Sequence, residues 1–241
     1  MKLLKMKDLV LAVAAAAVCL CLAPGASAQT YNTSTDFSTT SSSAGVWTYG
    51  DQLTLGGALT NYTVENSLDG GAIQLWNNPD NVAFDPSVFK NMTDQTVTFG
   101  TLTLNPYETA FHPGQTGQYS VYQFTAPTAG TYDINSTFGP RDSGRTSVYV
   151  LAGGNQIYTD DLATDPNASF TGSETLSQGE TVDFAVGFSP GNGFNNDTTA
   201  IDATVSRVAP VPEAATSVSF ALLLAMGGMI LLRSRKQSDA S

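Results

Sequence analysis

Apolar and polar residues alternate one by one through the middle of the chain, and this two-residue period predicts β-strands. The clearest case begins at residue 131, where Tyr132, Ile134, Ser136 and Phe138 face one way and polar residues face the other. No stretch of useful length has a helical period. Further segments with strand character are 46–49, 72–76, 97–104, 119–125, 147–151, 156–159, 182–188 and 201–205.

The segments between these candidate strands contain turn-forming residues, as in 127–130, 153–155 and 178–180. Strands at this spacing, with no helices between them, favour antiparallel pairing over a parallel sheet. Two such sheets facing each other would bury Phe, Tyr and Val side chains between them. We therefore predict an all-β fold over residues 46–208, an antiparallel β-sandwich or jelly roll.

Residues 29–45 differ in composition from the predicted sandwich. They are mostly Ser, Thr, Asn and Gly, and such residues bury too little apolar area to order a segment. We therefore expect a flexible Ser/Thr-rich leader before the folded domain.

The N-terminus has the three parts of a secretory signal peptide. Lysines within the first seven residues form a positive region, the apolar run 9–22 follows, and the small residues Ala26 and Ala28 mark a cleavage site. We predict that signal peptidase removes residues 1–28 and that the protein is exported. Both cysteines lie in this segment, so the mature chain would have no disulfide and would depend on its hydrophobic core.

Residues 209–241 carry a second targeting signal. The apolar run 214–232 approaches the roughly 20 residues that a transmembrane helix needs. The basic residues after it should stay in the cytoplasm. The motif before the run is Val211, Pro212 and Glu213, and the basic residues are Arg233, Arg235 and Lys236.

This combination resembles the PEP-CTERM sorting signal of Gram-negative and related bacteria. It departs from that signal at Ala214, where the family usually has a second proline. The resemblance implies recognition by an exosortase, cleavage near Pro212 and Glu213, and delivery to the outer surface or the extracellular matrix. If Ala214 defeats recognition, the protein stays anchored in the membrane by residues 214–232.

A second resemblance concerns the predicted sandwich. The segments His112–Tyr132 and Val182–Thr198 resemble a strand-and-turn pattern of exported bacterial β-sandwich domains that are similar to carbohydrate-binding modules. These domains often accompany PEP-CTERM signals. Because the pattern consists of strands and turns, the resemblance implies the fold far more than an activity.

Charge narrows the range of partners. Residues 29–210 contain 18 acidic and 4 basic side chains, a net charge of −14. This balance disfavours nucleic acids and anionic membrane surfaces, which require clustered Lys and Arg. The one cationic cluster is the segment 141–145, which could hold an anionic partner or form a surface turn with its own Asp142 paired locally.

A calcium site is a further hypothesis. If segments 182–188 and 199–205 form a hairpin, Asp183 lies opposite Asp202, and facing like charges destabilise a sheet. A bound cation would relieve this repulsion, and the loop between the strands offers the oxygen ligands that Ca²⁺ prefers. Alternatively, both carboxylates are solvated on an outer face or another register pairs. The residues of this calcium site would be Asp183, Asn195, Asn196, Asp197 and Asp202.

Aromatic residues suggest where a sugar would stack, since an aromatic ring suits the C–H face of a pyranose. Trp76 lies at a predicted strand end before the polar segment 77–80, and Tyr49 is a second candidate. Most aromatic residues of a sandwich, however, belong to its core.

The sequence contains few of the residues and motifs that catalytic sites require. The single histidine, His112, lies in a turn before Pro113, and no Gly-x-Ser-x-Gly motif surrounds a serine. We therefore expect a non-catalytic surface or extracellular-matrix protein. The alternatives are a carbohydrate-binding module that recognises an extracellular polysaccharide and a hydrolase acting on glycosides through paired carboxylates.

Overall fold

The alternating segments fold as strands in the computed structural model, which describes residues 28–79, 85–188 and 193–209. A short 3-10 turn spans Asp69–Gly71. The strands are β1 Thr30–Asn32, β2 Ser43–Ala44, β3 Trp47–Gln52, β4 Thr60–Asn61, β5 Val64–Leu68, β6 Ile73–Asn77, β7 Ser87–Asn91, β8 Val97–Phe99, β9 Leu102–Leu104, β10 Thr109–His112, β11 Tyr119–Thr125, β12 Gly130–Pro140, β13 Thr146–Ala152, β14 Asn155–Asp161, β15 Ser169–Leu176, β16 Thr181–Phe188 and β17 Thr199–Arg207.

Two antiparallel sheets face each other as a β-sandwich. Sheet I has the strand order β15, β12, β17, β10, β7, β6, β5, with β1 also paired to β17. Sheet II has the order β14, β13, β16, β11, β3, β2, with β4 paired to β3. The all-β class and the antiparallel sandwich predicted from the sequence are thus confirmed.

The predicted inward faces of β12 and β17 are also correct. Tyr132, Ile134 and Phe138 of β12 join Ile201 and Val205 of β17 in the main core between the sheets. Ser136 and Ala203 on the same faces are buried as well, whereas the residues that alternate with this set, such as Asp133, Asn135 and Asp202, are exposed. The two-residue period identified these faces because one side of sheet I is buried and the other meets solvent here.

The predicted hairpin of 182–188 with 199–205 is wrong. Strand β16 lies in sheet II between β11 and β13, whereas β17 lies in sheet I beside β12. Val182 and Phe184 of β16 point into the core. Consecutive strands therefore cross from one sheet to the other, as sandwich topologies commonly require.

The expected flexible leader is also wrong. Within residues 29–45, β1 pairs with β17 and β2 pairs with β3. Tyr31 is buried in the main core, and the Phe37 ring stacks on Tyr49 with 5.2 Å between ring centroids. A few aromatic anchors and ladder hydrogen bonds order a segment whose average composition suggested disorder.

Segment 97–104, predicted as one strand, is the hairpin β8–β9, which turns at Gly100 with φ 62°. Val97, Leu102 and Leu104 pack against β6, β7 and β10 in a second, smaller core. Trp76 and Phe111 of those strands belong to the main core instead. The hairpin therefore covers part of the outer face of sheet I.

The predicted targeting signals lie mostly outside the described residues. This applies to Ala26, to Val211, Pro212 and Glu213 and to the basic residues 233–236, while Ala28 is exposed at the start of the described range. Cleavage, sorting and the membrane segment 214–232 stay predictions. Among residues 28–79, 85–188 and 193–209, no helix is long and apolar enough to cross a membrane.

Candidate functional site

The outward side chains of β15, β12, β17 and β1 form one polar surface, which we call the hydroxyl face. The strand registers align rows such as Thr171, Asn135, Thr204 and Asn32 across four neighbouring strands. All side chains of this face are exposed or half-exposed. They are Thr30, Asn32, Thr131, Asp133, Asn135, Thr137, Ser169, Thr171, Ser173, Thr175, Asp202, Thr204 and Ser206.

Hydrogen bonds between strands hold several of these side chains in place. The Thr30 and Ser206 hydroxyl oxygens are 2.9 Å apart. The Asn32 amide donates to Asp202 Oδ1 at 2.8 Å and to Thr204 Oγ1 at 3.2 Å. A ligand that meets such pre-ordered groups loses less side-chain entropy on binding.

A groove of about 250 Å³ lies at one end of the hydroxyl face. Thr137 and Asp202 belong both to the groove and to the face, and Asn167 of the loop before β15 contributes an amide. Glu108 and Arg141 add a carboxylate and a guanidinium. The groove therefore offers donors and acceptors of several kinds within one small volume.

A bidentate ion pair fixes the charged groups of the groove. Arg141 Nε donates to Glu108 Oε2 at 2.7 Å, and Arg141 Nη2 donates to Glu108 Oε1 at 2.5 Å. Burial opposes ionisation of Glu108, but the hydrogen bonds from Arg141 and Asn105 outweigh it and lower the pKa of this carboxyl. Ion pairs in which an arginine and a carboxylate share two parallel hydrogen bonds are strong and geometrically specific.

Gly139 of β12 leaves room for the guanidinium of Arg141. A Cβ added at this glycine would lie 3.3 Å from Arg141 Nη1. Because Gly139 also lines the groove, any side chain there would occupy part of the groove and crowd the Arg141 head.

Tyr107 directly precedes the groove residue Glu108 in the chain and is 52% exposed. Its φ is 58°, a backbone region that bulky residues rarely occupy. Its N–H donates to the Thr93 carbonyl at 3.1 Å, and its own carbonyl accepts from Ser34 Oγ at 2.7 Å. Strain of this kind persists only where the surroundings impose it, and it concentrates at functional sites.

Sequence reasoning did not single out Tyr107 as a functional residue, and it did not pair Glu108 with Arg141. For Tyr107 the available signal was the preceding Asn105-Pro106 dipeptide, which marks a turn and thus places the ring outside any strand core. The ion pair joins residues that are 33 positions apart, so no local pattern predicts it.

The two aromatic residues predicted to stack on sugars are core residues. Trp76 is 7% exposed, and its indole N–H donates to the Ser38 carbonyl at 2.7 Å. Tyr49 is 1% exposed, and burial raises its pKa to about 12. Neither ring presents a face to a ligand.

The carboxylates proposed to face each other at a calcium site lie far apart in the topology. Asp202 belongs to the hydroxyl face of sheet I, whereas Asp183 alternates with core residues of β16 and so points to the outer side of sheet II. The repulsion that motivated the site is therefore absent.

Asp183 is instead enclosed by amides. Gln52 Nε2 donates to it at 2.8 Å and Gln123 Nε2 at 2.9 Å. Burial raises the pKa of Asp183, and these hydrogen bonds oppose the shift. Protein donors thus take the place that the sequence analysis assigned to a cation.

The loop residues of the predicted site divide between two environments. Asn195 and Asn196 are exposed, and Asn196 Oδ1 accepts from Thr101 Oγ1 at 3.2 Å. Asp197 is buried, and burial raises its pKa to about 7. In the part of the chain that the structure describes, no three His, Cys, Asp or Glu residues form a metal-binding group. Calcium binding stays a prediction, testable by melting curves with calcium and with chelator.

His112, expected in a turn, is the last residue of strand β10 and is buried near Asp197. Its Nδ1 lies 2.8 Å from the Pro113 carbonyl and 3.2 Å from Asp85 Oδ1. Its Nε2 accepts the backbone N–H of Asp197 at 3.2 Å, which assigns the ring proton to Nδ1. Both ring nitrogens thus have partners within the fold.

Comparisons with known proteins extend only to the fold. No family model matches the chain, and a search of curated proteins finds no match. A Clostridium perfringens ZmpB structure with CBM51-2 in complex with GlcNAc and INT domains is 12% identical, with a TM-score of 0.35 over 61% of this chain and 30% of that one. This chain thus spans less than a third of that structure.

Two further structures are similar over part of the sandwich. A native family 35 carbohydrate binding module from Clostridium thermocellum is 17% identical, with a TM-score of 0.29 over 46% of this chain and 85% of that one. Rabbit GITRL is 16% identical, with a TM-score of 0.26 over 37% of this chain and 73% of that one. Similarities this distant assign no ligand to the chain.

Proposed function

We propose that this chain is a non-catalytic, exported surface protein whose β-sandwich binds a polysaccharide in the groove around Arg141. The observation that carries the proposal is the groove itself. It places a fixed guanidinium, two carboxylates, an amide and a hydroxyl around about 250 Å³ at the end of an exposed polar face.

Sugar hydroxyls act both as donors and as acceptors, and this groove offers them both kinds of partner. Carboxylate oxygens of Asp202 accept hydrogen bonds, the Asn167 amide can do both, and Arg141 donates. Hydrogen bonds with an ionised partner are roughly twice as strong as neutral ones. In ligand-binding clefts, a small number of precisely placed polar groups fixes the orientation of the ligand and supplies specificity.

The state of Glu108 supports binding rather than hydrolysis. A glycosidase needs a carboxylic acid with a raised pKa to protonate the leaving group. The pKa of Glu108 is lowered instead, and both of its oxygens accept hydrogen bonds from Arg141 and Asn105. Such a carboxylate orients Arg141 and is poorly suited to donate a proton.

Export and surface display form the second part of the proposal. They rest on the signal peptide pattern of residues 1–28 and on the resemblance of residues 209–241 to a PEP-CTERM signal. Signal peptidase and an exosortase-type enzyme are the implied processing partners. A surface location would place the groove where extracellular polysaccharides occur.

Affinity electrophoresis of the exported protein through gels containing mannan, xylan or β-glucan tests the proposal. We expect at least one neutral polysaccharide to retard the protein and the Arg141→Met variant to lose most of this retardation. Arg145→Met is the matched control, because it removes an exposed guanidinium four residues away that does not line the groove.

Arg141→Met also leaves Glu108 without its main partner, so loss of binding could reflect unfolding. Gly139→Ala provides a second variant, because it keeps both Glu108 and Arg141 and adds a Cβ in the groove, 3.3 Å from Arg141 Nη1. We expect weaker retardation with an unchanged melting temperature. Unaltered migration of wild-type protein in all the polysaccharide gels would contradict the proposed function.

A further inference from the structure

We propose, on the basis of the proposed function, that the hydroxyl face and the groove together form one extended site. It would bind an interior segment of a long, neutral polysaccharide chain, with the Tyr107 ring as a stacking surface at the groove end. The specificity is therefore for long chains without charge, and a single terminal sugar fills only the groove.

The chemistry of the hydroxyl face selects this class of ligand. Its side chains are all Ser, Thr, Asn or Asp, so it contains no cation for a polyanion and no large apolar anchor for a protein partner. Asp133 and Asp202 give it negative charge. Hydroxyl and amide groups both donate and accept, which matches a neutral, hydroxyl-rich polymer.

The dimensions of the face exceed those of a one-sugar site. Four neighbouring strands span about 14 Å across, and the distance from Thr131 to Thr137 along β12 is about 20 Å. Because Thr137 and Asp202 also line the groove, the face and the groove are continuous. A ligand held in the groove can therefore continue over several rows of the face.

Tyr107 supplies an aromatic ring, which the hydroxyl face itself lacks. Its positive-φ backbone is tied to Thr93 and Ser34, and its ring is exposed at the position directly before the groove residue Glu108. Ser34 follows Asn32, whose amide bonds to Asp202 of the groove. The C–H face of a sugar can pack on such a ring while its hydroxyls bond to neighbouring polar groups.

Calorimetric titration of the exported protein with mannan, xylan and β-glucan oligosaccharides, from disaccharide to octasaccharide, tests the chain-length dependence. We expect the affinity to rise by about tenfold or more with length before it levels off, since each added contact contributes to binding. Tyr107→Ala should weaken all lengths, whereas Tyr107→Phe should preserve them.

The double variant Asp133→Lys/Ser173→Lys places bulk on the middle of the hydroxyl face, about 13 Å along β12 from the groove residue Thr137. We expect it to bind octasaccharides no better than disaccharides and to bind disaccharides as the wild type does. Thr159→Lys is the matched control, an exposed strand residue of sheet II.

The possible failures separate the two proposals. One outcome is that disaccharides bind, that Arg141→Met abolishes their binding and that the affinity does not change with chain length. In that case the extended site is wrong, while the proposed function stands. Tighter binding of polygalacturonic acid or chitosan than of the neutral polymers overturns the neutral specificity. If no saccharide of any length binds, the proposed function itself fails.

Discussion

Asp85 and His112 form a largely buried pair, and the two single replacements should give the protein opposite pH dependences of stability. Asp85 Oδ1 lies 3.2 Å from His112 Nδ1. Burial raises the pKa of Asp85 to about 7, against a weaker opposing hydrogen bond from Ser87. Burial also lowers the pKa of His112, although the Pro113 carbonyl acts in the opposite direction.

In the wild-type protein these two shifts cancel. Below pH about 6.5 and above the lowered pKa of His112, the native pair holds one proton, on the Asp85 carboxyl. The unfolded chain also holds one proton there, on the imidazole of His112. Because stability varies with pH only when the proton counts differ, the pair contributes little pH dependence in this window.

Asp85→Asn removes the carboxyl and leaves a histidine that is neutral when native and protonated when unfolded below pH about 6.5. Its stability should therefore fall as the pH falls from 6.5, by about 1.4 kcal/mol per pH unit, until the lowered native pKa is reached. His112→Gln leaves a carboxyl that is protonated when native up to pH about 7. Its stability should fall by about the same amount per unit as the pH rises from 4 towards 7.

Urea denaturation followed by tryptophan fluorescence at several pH values between about 5 and 6.5 measures both slopes. Other titrating groups, such as Asp197, remain in both variants and cancel when the two are compared at the same pH. At pH values above the lowered pKa of His112, the difference in unfolding free energy between the variants should change by about 2.7 kcal/mol per pH unit. Parallel profiles would refute the assignment of opposite pKa shifts to this pair.

Other predictions concern the core, the strained turn and processing. Phe184→Ala should lower the unfolding free energy by about 3–5 kcal/mol, because the ring is fully buried. Asp133→Asn, on the exposed face, should change it by less than about 0.5 kcal/mol. Chemical denaturation measures both values. Tyr107→Asn should raise stability by about 1 kcal/mol, since Asn tolerates positive φ better, while weakening saccharide binding; lower stability would mean that the turn is unstrained. Mass spectrometry of protein from the native host should find Gln29 as the first residue and should find that residues 217–241 have been removed. A retained Met1 would contradict export. An intact C-terminal tail would contradict sorting.

The sequence predicted the strands best where one sheet face is buried and the other meets solvent. Strand β12 has that environment, and its alternation identified the buried residues correctly. Strand β16 has a covered outer face, where Gln52 and Gln123 enclose Asp183. A carboxylate in an alternating strand looks solvent-facing from sequence alone, because the residues that cover it are more than 50 positions away.

The stacking residues were mispredicted for a related reason. Polar residues follow Trp76 in the sequence, a pattern that would suit a ring exposed at a strand end. Its N–H is instead satisfied by the Ser38 carbonyl of the segment expected to be flexible. Once that segment is ordered, it covers the end of the core where Trp76 and Tyr49 lie. The order of segment 29–45, which its composition did not indicate, is therefore the reason that neither ring is available to stack on a sugar.

The candidate site depends on topology more than on any local motif. Ser, Thr and Asn residues at alternate positions of one strand are unremarkable, and four separate segments of the chain contain them. Only the pairing of β17 with β1 and β12, and of β12 with β15, aligns these residues into one face. The same pairing places Asp202 beside Thr137, and the turn between β9 and β10 brings Glu108 into the same groove. The residues that we expect to bind a polysaccharide were therefore visible in the sequence, but their grouping was not.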